Sequence, residues 1–203
     1  YGDEDPAYLV RATDAQGNDI TRLISFTLTR ETGEAVGEYV LTPCGAAIQD
    51  DYTVSYKPAK LTITPAEVTV QVADATKVYG EADPAFTAQV EGLKNGDSAD
   101  AIAYTLSRAA GANVGEYRIT ATGQARQGNY VVTFEAGTLT ITPASLSIVP
   151  VSLSKTYGEP DPALEVGVTG LVNGDSRNLV EYSVTRAEGE DVGAYAITAS
   201  GEA

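Results

Sequence analysis

The chain contains no histidine. That removes the usual general base, the commonest zinc ligand and every Ser-His or Cys-His nucleophilic arrangement. Its one cysteine, Cys44, has no disulfide partner within the chain, so cysteine usage leaves the redox compartment open. Basic residues are scarce: 13 Lys and Arg stand against 28 Asp and Glu, for a formal charge of −15. Such a surface repels phosphate backbones and anionic headgroups, and no nucleic-acid partner is expected. No apolar run approaches the roughly 18 residues that a membrane-crossing helix needs, so membrane insertion is not expected either. There is no Asn-X-Ser/Thr sequon and no Gly-Lys-Ser/Thr phosphate loop. Since no initiator methionine precedes Tyr1, the chain is expected to be an internal piece of a longer protein.

What the sequence does contain is repetition. "YGDEDP" at the start returns as "YGEADP" at 79 and "YGEPDP" at 157, an interval of 78 residues. This register aligns Tyr1, Tyr79 and Tyr157; Gly2, Gly80 and Gly158; Asp5, Asp83 and Asp161; and Pro6, Pro84 and Pro162. It also aligns Arg30, Arg108 and Arg186, followed by Gly37, Gly115 and Gly193 and by Tyr39, Tyr117 and Tyr195, with no insertion. Repeat 1 is assigned to 1–66 without its first strand, repeat 2 to 67–144 as the complete copy, and repeat 3 to 145–203 without its last strands. Each incomplete copy is expected to leave a sheet edge and part of a core uncovered.

Within the complete unit, apolar residues alternate with the period of half-buried strands. The runs are Val68, Val70, Val72; Phe86, Ala88, Val90; Ile102, Tyr104, Leu106; Tyr117 and Ile119; Tyr130, Val132, Phe134; and Leu139 with Ile141 after a turn at Gly137. Tyr104, Tyr117 and Tyr130 are expected to face inward. The one helical candidate is "DSADAI" after Asp97; its counterparts "DITRLI" and "DSRNLV" are poor helix formers. Between units the chain passes from "LTIT" through Pro65 and Ala66 into "EVTVQV" with no flexible spacer, which predicts modules placed end to end in a rod. The fold expectation is all-β: tandem small modules, β-grasp-like with at most one short helical turn, or alternatively Ig-like β-sandwich repeats.

The repeated residues have two interpretations. As scaffold, Gly80 takes positive φ at a reversal, Asp83 accepts backbone N–H bonds ahead of Pro84, and Tyr79 gives its ring to the core and its hydroxyl to a buried backbone group. Arg108 is then a fastener onto Asp97 or Asp83, and Cys44, aligned with Thr122 and Ser200, is an incidental small residue. As a site, Glu81, Asp83 and Asp97 gather around calcium, which requires six or more oxygens. The scaffold interpretation is favoured, so no cofactor is expected. No carboxylate pair stands out for hydrolytic chemistry, and near-copies joined without slack build length and multivalency instead of one pocket; no enzymatic activity is expected.

The segments "YGEADP", "GLKNGD", "VGEY", "NY" and "GTLTITPA", in this order and spacing, resemble the MBG domain of the YGX type over essentially the whole chain. The resemblance implies a tandem module of bacterial surface and secreted adhesin-like proteins, located outside the cell, with no known active site to carry over. It also implies a stalk role with neighbouring repeats as partners, or alternatively adhesion to host glycan or protein through repeated weak sites.

Overall fold

The structure is a computed structural model and describes residues 1–201. It is all-β, with short strands and three single 3-10 turns. Among the described residues no helix is long and apolar enough to cross a membrane.

The first repeat contributes β1 (Thr27–Arg30), β2 (Gly37–Cys44), β3 (Ile48–Gln49), β4 (Tyr52–Thr53) and β5 (Ala59–Ile63). Strands β1, β2 and β5 form an antiparallel sheet in that order, with Thr29 opposite Thr42 and Tyr39 opposite Leu61. The second repeat supplies β6 (Ala66–Val72), β7 (Ala75–Val78), β8 (Ala88–Glu91) and β9 (Thr105–Arg108). It continues with β10 (Gly115–Thr122), β11 (Arg126–Gln127), β12 (Tyr130–Glu135) and β13 (Gly137–Thr142). One four-stranded sheet runs β11-β12-β6-β8 and another β7-β13-β10-β9. The third repeat holds two pairs: β14 (Ser147–Pro150) with β15 (Val166–Thr169), and β16 (Ser183–Arg186) with β17 (Ile197–Ser200).

Two pairings in the second repeat are parallel. Strand β12 runs beside β6 with Val132 opposite Val68 and Phe134 opposite Val70, and β13 runs beside β7 with Leu139 opposite Ala75. Parallel neighbours require a long crossover. Here most of the repeat is that crossover, and its last two strands, β12 and β13, close onto its first two, β6 and β7.

By internal contacts the described chain forms two compact units: Tyr1–Ala73, Phe86–Ser107 and Ile119–Gly137 make one, and Asp74–Ala85, Arg108–Arg118 and the residues from Thr138 onward make the other. The second repeat contributes to both. In the first unit Val68, Val70 and Val72 of β6 are 4% exposed or less, between the neighbouring strands β12 and β8. A strand with a neighbour on each side and a buried face selects β-branched residues. In the second unit Leu139 and Ile141 of β13 are fully buried, their alternation matching the strand period.

Two sequence expectations require correction. Only "DSADAI" was expected to turn helically, yet 3-10 turns occur at Thr21–Leu23, Ala99–Ala101 and Arg177–Leu179. Two of the three turns are set by their caps, Ser98 accepting from Asp100 N and Ser176 from Asn178 N; the Thr21–Leu23 turn has no side-chain cap, and Asp19 accepts from Thr21 N ahead of it. Of the three tyrosines expected to face inward, Tyr130 is buried, whereas Tyr104 and Tyr117 are half-buried.

Replacing Ile119, fully buried in β10, by alanine should cost about 2–5 kcal/mol, while replacing Val131, 39% exposed on β12, should change stability by less than about 0.5 kcal/mol. Urea unfolding of the two variants, read as midpoint shifts at constant slope, checks the contrast.

Candidate functional site

The repeated motif begins where β7 ends. Gly80 takes φ +91°, and Glu81 N donates to Val78 O at 3.1 Å, closing a tight reversal. Glu81 Oε2 accepts from Val78 N at 3.0 Å. Asp83 does not accept the backbone bonds expected of it; its carboxylate receives Arg108 Nε at 2.6 Å, Arg108 Nη2 at 3.2 Å and Lys77 Nζ at 2.8 Å. A planar guanidinium presents two donors to one carboxylate, and here both are used.

The same arginine organises the following loop. Its Nη1 donates to Ala109 O and Gly111 O, and its guanidinium carbon lies 5.5 Å from the centre of the Tyr117 ring, within reach of the ring's negative face. Tyr117 in turn donates its hydroxyl to Asn113 O at 2.8 Å. Gly111, at φ +149°, lies under this ring: a Cβ there would stand 1.9 Å from Tyr117 Cε1, so no other residue fits.

Each repeat has such a fastener. In the third, Arg186 Nε donates to Asp161 at 2.8 Å and lies 5.1 Å from the Tyr195 ring centre, with Lys155 and Glu190 completing the ion-pair cluster. In the first, Arg30 Nε is 2.8 Å from Asp5 and its guanidinium 4.9 Å from the Tyr39 ring centre. Of the two acids considered for Arg108 from sequence, the structure pairs it with Asp83 and not with Asp97.

Asp97 belongs to a different device, which joins one repeat to the next. Tyr1 donates its hydroxyl to Asp97 Oδ2 at 2.9 Å, and Tyr130 donates to the same oxygen at 2.6 Å. The two rings meet edge to face, 5.5 Å between centres at 86°. Tyr130 OH also accepts from Lys94 N at 3.0 Å, and both burial and the Asp97 carboxylate push its pKa up. The following pair repeats the contact: Tyr79 OH donates to Asp175 Oδ2 at 3.1 Å. This corrects the expectation that the Tyr79 hydroxyl would reach a buried backbone group.

The glycine after each tyrosine is part of the joint. A Cβ at Gly2 would fall 2.3 Å from Lys94 Cβ, and one at Gly80 would fall 2.6 Å from Val172 Cγ2. The acceptor loops are alike: Asn95 and Gly96, and Asn173 and Gly174, all hold positive φ, the combination that Asn-Gly suits. The first repeat's "DAQGND" folds differently, with Asp14 accepting from Gln16 N and Asn18 N and with Asp19 turned to Thr21 N. A further tie comes from Asn129, whose Oδ1 accepts from Val36 N at 2.9 Å and whose carbonyl accepts from Ala66 N at 3.0 Å.

The calcium arrangement of Glu81, Asp83 and Asp97 does not form. Their oxygens bind a backbone N–H, two cations and two phenols respectively, and the described residues contain no group of three or more acidic or other ligating side chains suited to a metal. Cys44 is exposed and unpaired. Sequence reasoning missed Lys77, Gly111, Asn129 and Asp175. The signals for two of them were present: a lysine two positions before Tyr79 and Tyr157, and a glycine three positions after each of Arg30, Arg108 and Arg186.

Repeated β-modules, each with its own fastener and with tyrosine-to-carboxylate contacts linking successive copies, define a tandem-repeat protein. The chain belongs to the MBG domain (YGX type) family, whose profile matches residues 1–62, 68–140 and 146–203. Repeats of this family are found in surface and adhesin-like proteins. No curated protein and no solved structure matches the chain.

Two measurements check this geometry. A double-mutant cycle of Tyr79→Phe and Asp175→Asn should give a coupling energy of about 0.5–3 kcal/mol, and additive effects would refute the joint. Carboxyl NMR titration should place Asp83 at about 2, displaced by the Arg108 and Lys77 bonds from an ordinary 3.8, and Arg108→Gln should return it toward that value. Because the folded pKa lies below the unfolded one, the stabilisation is complete above about pH 4 and is lost as pH falls through 2; Asp83→Asn should flatten that acid limb.

Proposed function

We propose that the chain is a non-catalytic stalk segment of a bacterial cell-surface, adhesin-like protein, holding a functional domain away from the envelope outside the cell. The observation that carries this is the joint: Tyr1 to Asp97 and Tyr79 to Asp175 are the same contact, made twice between successive repeats at the same separation of 96 residues. Only Thr64 and Pro65 separate β5 from β6, and proline's fixed φ removes slack at the boundary. Repetition, a short boundary and a specific contact between neighbours suit a stiff spacer.

The motif chemistry supports the same function. The repeated acids and tyrosines that would make an attractive ligand site are occupied by one another: Asp83 by Arg108, Asp97 by two phenols, Tyr117 by Asn113 and the arginine above it. The partners are neighbouring repeats of the parent protein. The adhesive alternative, binding of host glycan or protein, would draw on tyrosines that are instead used to hold modules together.

If the chain is a stalk, the maximum dimension measured by small-angle X-ray scattering should rise in proportion to repeat number in a series of two, four and six repeats. A particle that grows in all directions as repeats are added would overturn the proposal.

A further inference from the structure

We propose that Asn95-Gly96 and Asn173-Gly174 are sites of spontaneous modification gated by the joint: when the tyrosine-to-carboxylate contact opens, each asparagine cyclises onto the next glycine nitrogen, and the isoaspartate that results keeps the joint from closing. The inference rests on the geometry of the joint and is independent of the stalk function.

The chain has six asparagines, and the fold treats these two differently from the rest. Asn18 donates its Nδ2 to Asp14 at 2.8 Å, and Asn129 Oδ1 accepts from Val36 N at 2.9 Å. Asn113 and Asn178 are followed by Val114 and Leu179, whose side chains crowd the backbone nitrogen that would have to attack. Asn95 and Asn173 are exposed, and among the described residues their side chains have no hydrogen-bond partner. A glycine follows each, with open space where a Cβ would stand, and neither glycine N–H donates to another group of the described chain. Nucleophile and electrophile are therefore adjacent and uncommitted.

The reaction needs no reagent except water. The Gly96 nitrogen, on losing its proton to solvent, attacks Asn95 Cγ; the new C–N bond closes a succinimide ring, the bond to Nδ2 breaks, and ammonia leaves. Water then opens the ring. Addition at the side-chain carbonyl yields aspartate, and addition at the main-chain carbonyl yields isoaspartate, whose backbone is longer by a methylene.

The closed joint restrains this path. Asp97 N donates to Lys94 O and Asp175 N to Val172 O, both at 2.9 Å, closing turns in which Asn95, Gly96, Asn173 and Gly174 all hold positive φ. Tyr1 and Tyr130 hold the carboxylate of Asp97, and Tyr79 holds that of Asp175, so the residue after each Asn-Gly pair is anchored from outside its turn. Swinging the glycine nitrogen toward Cγ rotates the backbone against that anchor, and a local opening of the joint permits it. Isoaspartate does not rebuild the turn: the added methylene displaces Asp97 or Asp175 from its phenol, and the new carboxylate stands close to the existing one.

The test is incubation of the full chain under mildly alkaline conditions, with peptide mapping that distinguishes isoaspartate from aspartate. Asn95 and Asn173 should convert at least about tenfold faster than the other asparagines. Tyr1→Phe should accelerate conversion at Asn95 by about two- to tenfold, the weight of one hydrogen bond, and leave Asn173 unchanged, while Tyr79→Phe should do the reverse. Each variant carries the other joint as its control, since a general loosening of the fold would raise both rates together. In chains converted at Asn173, the nuclear Overhauser contacts between the Tyr79 ring and Asp175 should disappear. The proposal is overturned if these two asparagines do not convert ahead of the rest, if either variant raises both rates alike or leaves the rate at its own joint unchanged, or if the Tyr79–Asp175 contacts survive conversion.

Discussion

A phenol hydroxyl donated to a carboxylate sets the boundary between one repeat and the next. The contact is directional, so it requires the donor ring and the acceptor turn to arrive at fixed places, and other local features serve that end. Gly80 removes a side chain that would collide with Val172, and the Asn173-Gly174 turn orients the backbone before Asp175. On the donor side, the Arg108–Asp83 pair and Lys77 hold the loop that follows Tyr79. The acids in the motif are therefore of two kinds: Asp83 is internal to its own repeat, and Asp97 and Asp175 face a neighbour.

Much of the strand pattern was legible in the sequence. Val68, Val70, Val72, Leu139 and Ile141 alternate because the sheet buries one face of each strand, and burial leaves a direct trace in residue type. The fastener was partly legible, since Arg108 recurs in every copy, but composition alone did not choose between two acids. The joint was not legible. Tyr79 and Asp175 are 96 residues apart, and each has a plausible local use as a core ring or a turn cap. The turn after Asp97 was legible, whereas that at Arg177–Leu179 was not, because its short interior, Arg-Asn-Leu, carries little helix propensity of its own and the Ser176 cap supplies the turn.

The arrangement also explains why so acidic a chain keeps specific charges buried in part. Arg30 and Arg108 have side chains 14% and 18% exposed, and each has a carboxylate on one side and an aromatic face on the other. A partly desolvated cation needs that compensation. Surplus negative charge remains on exposed side chains, where water screens it and it favours solubility.

The parallel pairing at the two ends of the second repeat has a mechanical consequence. Chain enters the repeat at the start of β6 and leaves at the end of β13, and these elements are hydrogen-bonded alongside parallel neighbours, β12 and β7. Tension applied at the two termini pulls such neighbours lengthwise past each other, loading the rungs of each ladder together. Antiparallel hairpins pulled from their open ends fail one rung at a time; a repeat closed by parallel strands resists in shear until the set gives way at once.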